Sequence, residues 1–387
     1  MFVWPLTALS PEDHGLALAF RSRVERINGV PAAAPANPPS APRPQPWLWL
    51  FATIAAVSIA LARLSVPTSV FVRVAIVAIA VALPLACGGS SSTPTAPSTT
   101  ASTTTTTTGA SITLPLASCF TSFPTRVTTR TSGNNLLVDT DGMAEHTMMV
   151  GIRSWQQQVP LPQAYTGANA YTIPLTARLA DAPVSARTAL FNGAIALAVN
   201  GIPIFNALNN RGDDAFLFGE LDDFGGHAGR ADDYHYHAAP FMLSATVGAT
   251  RPIAVALDGF PIYGTVEPDG SAIRAVDSYN GHTDAATLYH YHGTSKYPYI
   301  NGGMRGVVTV VDDHVDPQPT LRPVRPSGTP LAGATITAFR TIGTNAWHME
   351  YRIGGAIYSL DYRIEGTRYT FVFTDPTGTI RTETYTR

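Results

Sequence analysis

The stretch Asp222-Asp-Phe-Gly-Gly-His227-Ala-Gly-Arg-Ala-Asp-Asp-Tyr-His235-Tyr-His237 returns 55 residues later as Asp277-Ser-Tyr-Asn-Gly-His282-Thr-Asp-Ala-Ala-Thr-Leu-Tyr-His290-Tyr-His292. Both read Asp-x-aromatic-x-Gly-His-x6-Tyr-His-Tyr-His, and together they hold six of the ten histidines of the chain. The repeat extends upstream, because Asn200-Gly-Ile-Pro-Ile-Phe205 is echoed by Asp258-Gly-Phe-Pro-Ile-Tyr263 at an offset of 58, so the first copy holds three more residues between its motifs. A duplication of this length predicts a core built from two related halves.

Residues two apart in a strand point to the same face. His235 and His237 therefore share one face with Tyr234 and Tyr236 on the other, and His290 and His292 repeat the arrangement. Packing alone does not account for histidine at fixed spacing, since a buried imidazole needs hydrogen-bond partners. A His-x-His strand joined by one loop histidine, His227 or His282, supplies three imidazoles. Three neutral ligands with one position open suit a catalytic divalent transition metal, zinc or copper first among them. Asp222 and Asp277, five residues before the loop histidines, are candidates for orienting an imidazole N–H. The competing reading is a symmetric polar core in which Tyr and His ladders lock the two halves together.

The spacing leaves open whether the copies form two sites or one shared site, and His146 is available to either. Asp258, in a Leu-Asp-Gly-Phe-Pro turn, is a weak acid/base candidate, local hydrogen bonding being the more ordinary role for a turn aspartate. Asp312-Asp-His-Val-Asp316 lacks the glycine and terminal glutamate of a calcium loop and reads as a solvated strand exit.

Short β-like runs broken by Gly, Pro and Asn fill the region from Leu136: residues 192–204, 251–263 and 306–311. The best local helix candidate, around Pro183 to Phe191, is short. The fold class expected is mainly β, with α+β as the alternative: a two-halved duplicated core over 113–315, a Pro-rich connector over 316–330 and a C-terminal antiparallel meander over 331–387. The meander is expected as strands 334–341, 347–353, 357–364, 368–374 and 379–386, turned at Gly354-Gly355, Glu365-Gly366 and Pro376-Thr-Gly378.

The first third reads differently. Residues 70–87 run from a short basic start through an apolar stretch to small residues before Cys87, in the manner of a bacterial lipoprotein signal with Cys87 as the lipidated residue. A membrane helix is the alternative for this short run. Residues 1–69, with an apolar run from Trp47 to Ala62, are expected either to anchor the chain in a membrane or to lie upstream of the true translation start. Residues 88–112 are almost wholly Gly, Ser, Thr, Pro and Ala, a composition that cannot offset its ordering entropy and reads as a disordered tether.

The 25 basic and 27 acidic residues leave no electrostatic footprint for nucleic acid. Cys87 and Cys119 give neither a disulfide framework nor a Cys-based zinc motif, so any metal must rest on histidine and carboxylate.

Asp141-Gly-Met-Ala-Glu-His146, Gly151-Ile-Arg-Ser-Trp155 with its sequel to Pro162, Gly226-His227 with Tyr234 to His237, Ala256 to Gly264 and Tyr289 to His292 together resemble the YHYH protein family. The likeness covers roughly residues 135–312. That family is named for its motif rather than for an activity, so the resemblance implies an exported location more than a chemistry; an extracytoplasmic, membrane-anchored lipoprotein is the expectation from residues 70–87. Some relatives have cysteine where this chain has Phe224. Three functions fit: a metal-binding domain, a hydrolase using a metal-bound water, and a non-catalytic surface or carbohydrate-binding module. The last would stack its ligand on Tyr234, Tyr236, Tyr289, Tyr291, Tyr297, Tyr299 and Trp155. Neither the ligand of such a module, whether a small molecule or a glycan, nor the oligomeric state is written in the sequence.

Overall fold

The computed structural model describes residues 111–387 apart from Leu114 and Ala286. The extension over 1–69, the signal-like segment with Cys87, and the tether up to residue 110 lie outside the described residues. Ser111–Thr113, the end of that tether and the start of the core, forms a strand against Thr176–Ser185.

Two glycines set the centre of the fold. Gly201 and Gly259 adopt φ of 84° and 89°, a region open to glycine at little cost, and turn Ala194–Ala198 onto Pro203–Phe205 and Ala254–Ala256 onto Pro261–Tyr263. Space requires glycine as well, because a Cβ on Gly201 would stand 2.3 Å from Thr140 Oγ1 and one on Gly259 would stand 2.5 Å from the Pro174 carbonyl oxygen. The two hairpins then pair antiparallel through their first strands, with Val255 opposite Leu197.

Each hairpin is extended outward in the same way. Pro203–Phe205 pairs in parallel with Tyr234–Tyr236, which pairs antiparallel with the edge strand Gly226–Ala228. Pro261–Tyr263 pairs in parallel with His290–His292, which pairs antiparallel with Gly281–His282. The resulting eight-stranded sheet has a pseudo-twofold relation at its middle and one Tyr-His-Tyr-His strand toward each end. Its inner strands are buried on both faces, hence the continuous run Ala-Ile-Ala-Leu-Ala rather than an alternating one.

Smaller sheets cover this centre: Val127–Ser132, Asn135–Thr140 and Tyr171–Pro174 form one, and Ser111–Thr113, Thr176–Ser185 and Gly303–Gly306 another. Thr176–Ser185 corrects the helix considered around Pro183: its backbone is committed to two neighbouring strands, and residues 186–191 turn without forming a helix. Among the described residues the one α-helix is Ser244–Val247. Asp312 and Asp313, both at positive φ, form the two-residue turn between Thr309–Val311 and His314–Asp316, so this acidic run closes a hairpin.

The C-terminal meander runs Ala334–Gly343, Ala346–Ile353, Ala356–Glu365, Arg368–Thr374 and Ile380–Thr386. Gly354 and Gly355, at φ of 54° and 90°, supply the turn that was read from the sequence. Its inner face carries Trp347, Met349, Tyr351 and Leu360 into the same continuous core as the duplicated sheet. Backbone bonds seal the contact, Gly151 N–H to Ile336 O at 3.0 Å and Ile336 N–H to Ile152 O at 3.0 Å.

Candidate metal centres

The alternation of the Tyr-His-Tyr-His strands sorts the side chains as expected. Tyr234, Tyr236, Tyr289 and Tyr291 are buried within the core, and the histidines face the opposite side. The edge strands bring in the third imidazole by register: His227 lies opposite His235, and His282 opposite His290. The two histidine strands are separated by four others, so the copies make two centres rather than one.

In the first centre His227 Nε2 stands 3.0 Å from His237 Nε2, and His235 Nε2 stands 3.1 Å from the same atom. The far sides of two rings are committed elsewhere. His237 Nδ1 meets the Asn206 carbonyl oxygen at 2.5 Å, and His235 Nδ1 meets the Asp233 carbonyl at 3.0 Å and its carboxylate at 3.1 Å. Carbonyl and carboxylate oxygens only accept, so these Nδ1 atoms carry protons and Nε2 is the ring position left to face the cluster. Burial holds His237 down to about 3 and His227 well below the usual imidazole range, the neighbouring imidazoles adding to the effect. A cation placed among the three Nε2 atoms satisfies them together.

The second centre repeats this plan with one addition. His292 Nδ1 faces the Gly264 carbonyl at 3.3 Å, the position equivalent to Asn206, and His290 Nδ1 faces Thr287 Oγ1 at 2.9 Å. Thr287 gives its hydroxyl proton to Asp284, so its oxygen is free to accept from His290. His282 Nε2 and His290 Nε2 are 3.0 Å apart, with Glu267 Oε2 at 3.1 and 3.2 Å from them. His292 Nε2, buried and without a hydrogen bond, stands 3.6 Å from the same oxygen. Burial opposes ionisation of Glu267, but hydrogen bonds from the Arg274 backbone and guanidinium and from His282 hold it well below the usual carboxylate range.

The donor sets fit a small transition-metal ion. Nitrogens on a tetrahedral ion with bonds of about 2.0–2.1 Å lie roughly 3.3 Å apart, and the observed 3.0 and 3.1 Å need only a few tenths of an ångström of adjustment. All donor atoms in each set lie within 4.8 Å of one another.

Several expectations are corrected. Asp222 and Asp277 hold tyrosines, not imidazoles: Tyr234 donates to Asp222 at 2.6 Å and Tyr289 to Asp277 at 3.0 Å. Each also accepts from the backbone N–H two residues on, Phe224 or Tyr279, which is an Asx turn. The glycine before each loop histidine is needed here, since a Cβ on Gly226 or Gly281 would stand 2.5 or 2.3 Å from the Tyr234 or Tyr289 hydroxyl. Asp258 is buried and accepts from Tyr291 Oη at 2.5 Å and Gly306 N–H at 2.8 Å, a structural role remote from solvent. His146 joins neither centre; it lies on the tyrosine side, bonded to Tyr236 Oη at 2.7 Å and stacked on Phe224 at 4.1 Å between centroids.

Of the aromatic residues considered as stacking faces, Tyr234, Tyr236, Tyr289, Tyr291, Tyr299 and Trp155 are buried, and Tyr297 is half-buried with the Arg187 guanidinium over its ring. Burial also pushes the Cys119 thiol up to about 11, so it is an inert core residue. Glu267 was missed from the sequence, although its position at an offset of 58 from Asn209 is a readable signal.

The family described as YHYH protein matches residues 170–276, which takes in the first copy and stops one residue before Asp277 opens the second motif. No curated protein and no solved structure matches the chain.

Proposed function

We propose that this is an extracytoplasmic metal-binding protein whose two motif copies each hold one divalent transition-metal ion, zinc or copper by the nature of the donors. The carrying observation is the convergence, in both copies, of three imidazole Nε2 atoms, with Nδ1 of His235, His237 and His292 directed at oxygen acceptors. Neutral imidazole with a fixed tautomer is the ligating form, and the outer hydrogen bonds set its orientation. The composition of residues 70–87, with Cys87 as lipid-bearing residue, supports export and membrane attachment.

A hydrolytic role is the second reading, and one observation favours it. A cavity of about 390 Å³ opens on His227, His235 and His237, so a water held by an ion there would be within reach of a substrate. The test is metal content of the purified full-length chain beside His235→Ala/His237→Ala and His290→Ala/His292→Ala. Two equivalents in the parent chain and one in each folded variant are expected. No metal after exposure to zinc and copper, with stability indifferent to chelator, would overturn the reading.

A further inference from the structure

The two centres are built on the same turn and differ at its first residue. Asn209 N–H bonds Asp213 O at 2.8 Å, as Glu267 N–H bonds Ser271 O at 2.9 Å, and both turns close through a glycine, Gly212 or Gly270. Glu267 directs Oε2 at its three imidazoles. Asn209 does not follow: its Oδ1 accepts from Arg211 N–H at 2.9 Å and Asp213 N–H at 3.1 Å, and its Nδ2 donates to Glu220 at 3.2 Å. With that amide so engaged, no fourth protein ligand joins the three histidines of the first centre among the described residues.

Charge points the same way. Three imidazoles bring no negative charge to a divalent ion among its direct ligands, whereas Glu267 brings one in the second centre. Each centre has one carboxylate behind a ring, Asp233 at 3.1 Å from His235 Nδ1 and Asp284 at 3.2 Å from His290 Nδ1, so these do not distinguish the two, and Glu220 of the first copy is already bound to Arg211 and Asn209. The cavity onto which these histidines open, about 390 Å³, lies within the range of small-molecule pockets. Arg230 on its wall is exposed and makes no ion pair among the described residues, a second favourable contact for negative charge.

Resting on the metal-binding reading above, the geometry points to a division of labour: the first centre takes a small anion, of the carboxylate class, directly onto its metal from the cavity. The second is closed by Glu267 and takes none. The chain thus carries one ligand-binding centre and one structural centre from a single duplicated motif.

The test loads the full-length chain with copper(II), counts the metal by mass spectrometry and titrates azide as the anion probe by absorption spectroscopy. Two coppers and one azide per chain are expected. The azide response should persist in His290→Ala/His292→Ala and vanish in His235→Ala/His237→Ala. Asn209→Glu should keep both coppers while weakening azide by about tenfold or more, the fourth position now being filled from within. If that variant does not fold, Glu267→Asn serves instead and should raise the count to two azides. Two coppers with no azide bound, or an azide response that survives loss of His235 and His237, overturns the inference and leaves metal binding intact. An absence of copper overturns the metal-binding reading itself.

Discussion

The first and second copies share strand order, register, the carbonyl behind His237 or His292 and the tyrosine anchors, yet they differ around the site. Asn209 stands where Glu267 does. Asn200 stands where Asp258 does, so Tyr236 is held by an amide and His146 while Tyr291 is held by a carboxylate. Asp222 is buried and Asp277 exposed. The shared features are those that build three converging imidazoles, and the differences lie in what surrounds them. Duplication has preserved the ligand scaffold and varied its electrostatic setting, which is where a structural centre and a reactive one part ways.

The largest effect expected comes from the metals. An ion at about a thousand times its Kd stabilises the folded state by about 4 kcal/mol, so chelation should lower the denaturation midpoint markedly. The second centre, with four donors, should account for more of that loss: in urea titrations with and without chelator, His290→Ala/His292→Ala should retain less chelator sensitivity than His235→Ala/His237→Ala. Equal retention would break the proposed difference between the centres.

Next in size is Gly281→Ala. Its Cβ would stand 2.3 Å from Tyr289 Oη and 2.6 Å from the His290 carbonyl oxygen, and backbone at that distance cannot yield cheaply. A loss of roughly 3 kcal/mol is expected by chemical denaturation. Gly226→Ala, at 2.5 Å from Tyr234 Oη and 2.8 Å from the His235 carbonyl, should cost somewhat less. A neutral result at either position would mean that the edge strand is not held against its tyrosine.

Smaller again is the contrast between the two Asx-turn acids. Asp222→Ala leaves Tyr234 Oη and the Met149 and Gly226 N–H groups without their acceptor in the buried interior, at a cost of about 2–3 kcal/mol. Asp277 is itself exposed, so in Asp277→Ala water can take the carboxylate's place beside Tyr289 Oη, and the loss should be under about 1 kcal/mol. Similar losses at both would show that the copies are buried alike.

How much of this was legible follows from distance along the chain. The C-terminal hairpins were readable nearly to the residue because two-residue turns such as Gly354-Gly355 dictate the local register. The sorting of Tyr and His to opposite faces was readable because strand alternation is local too. What escaped was non-local. Two centres rather than one depends on the parallel pairing of Ile204 with Tyr236 and of Ile262 with Tyr291, contacts that span about thirty residues and carry no turn signature. Glu267 lies 15 residues before His282 in a segment without histidine, and only the comparison of copies at an offset of 58 sets it opposite Asn209. Asp222 and Asp277 lie close to a histidine in sequence but not in space, because their turns aim them at the tyrosine face.

The smallest effect separates the copies by the sign of a pH slope. Asn200 Nδ2 donates to Tyr236 Oη, so that hydroxyl gives its own proton to His146 Nε2. Protonating His146 destroys the bond, and burial holds the imidazole down to about 4, below its usual range. A folded-state value below the unfolded one means stability fully present above about pH 6.5 and lost as pH falls toward 4. Asp258 is opposite in sign: burial raises its carboxyl, so its contribution is fully present below the ordinary carboxylate value near 4 and declines as pH rises through the raised one. Measured on metal-free protein, the stability difference between the parent chain and His146→Gln should shrink on acidification. The difference between the parent chain and Asp258→Asn should shrink on going from pH 4 to 7, each by about 1 kcal/mol or less per pH unit. Slopes of the same sign would mean that one environment, rather than two, surrounds the duplicated tyrosines.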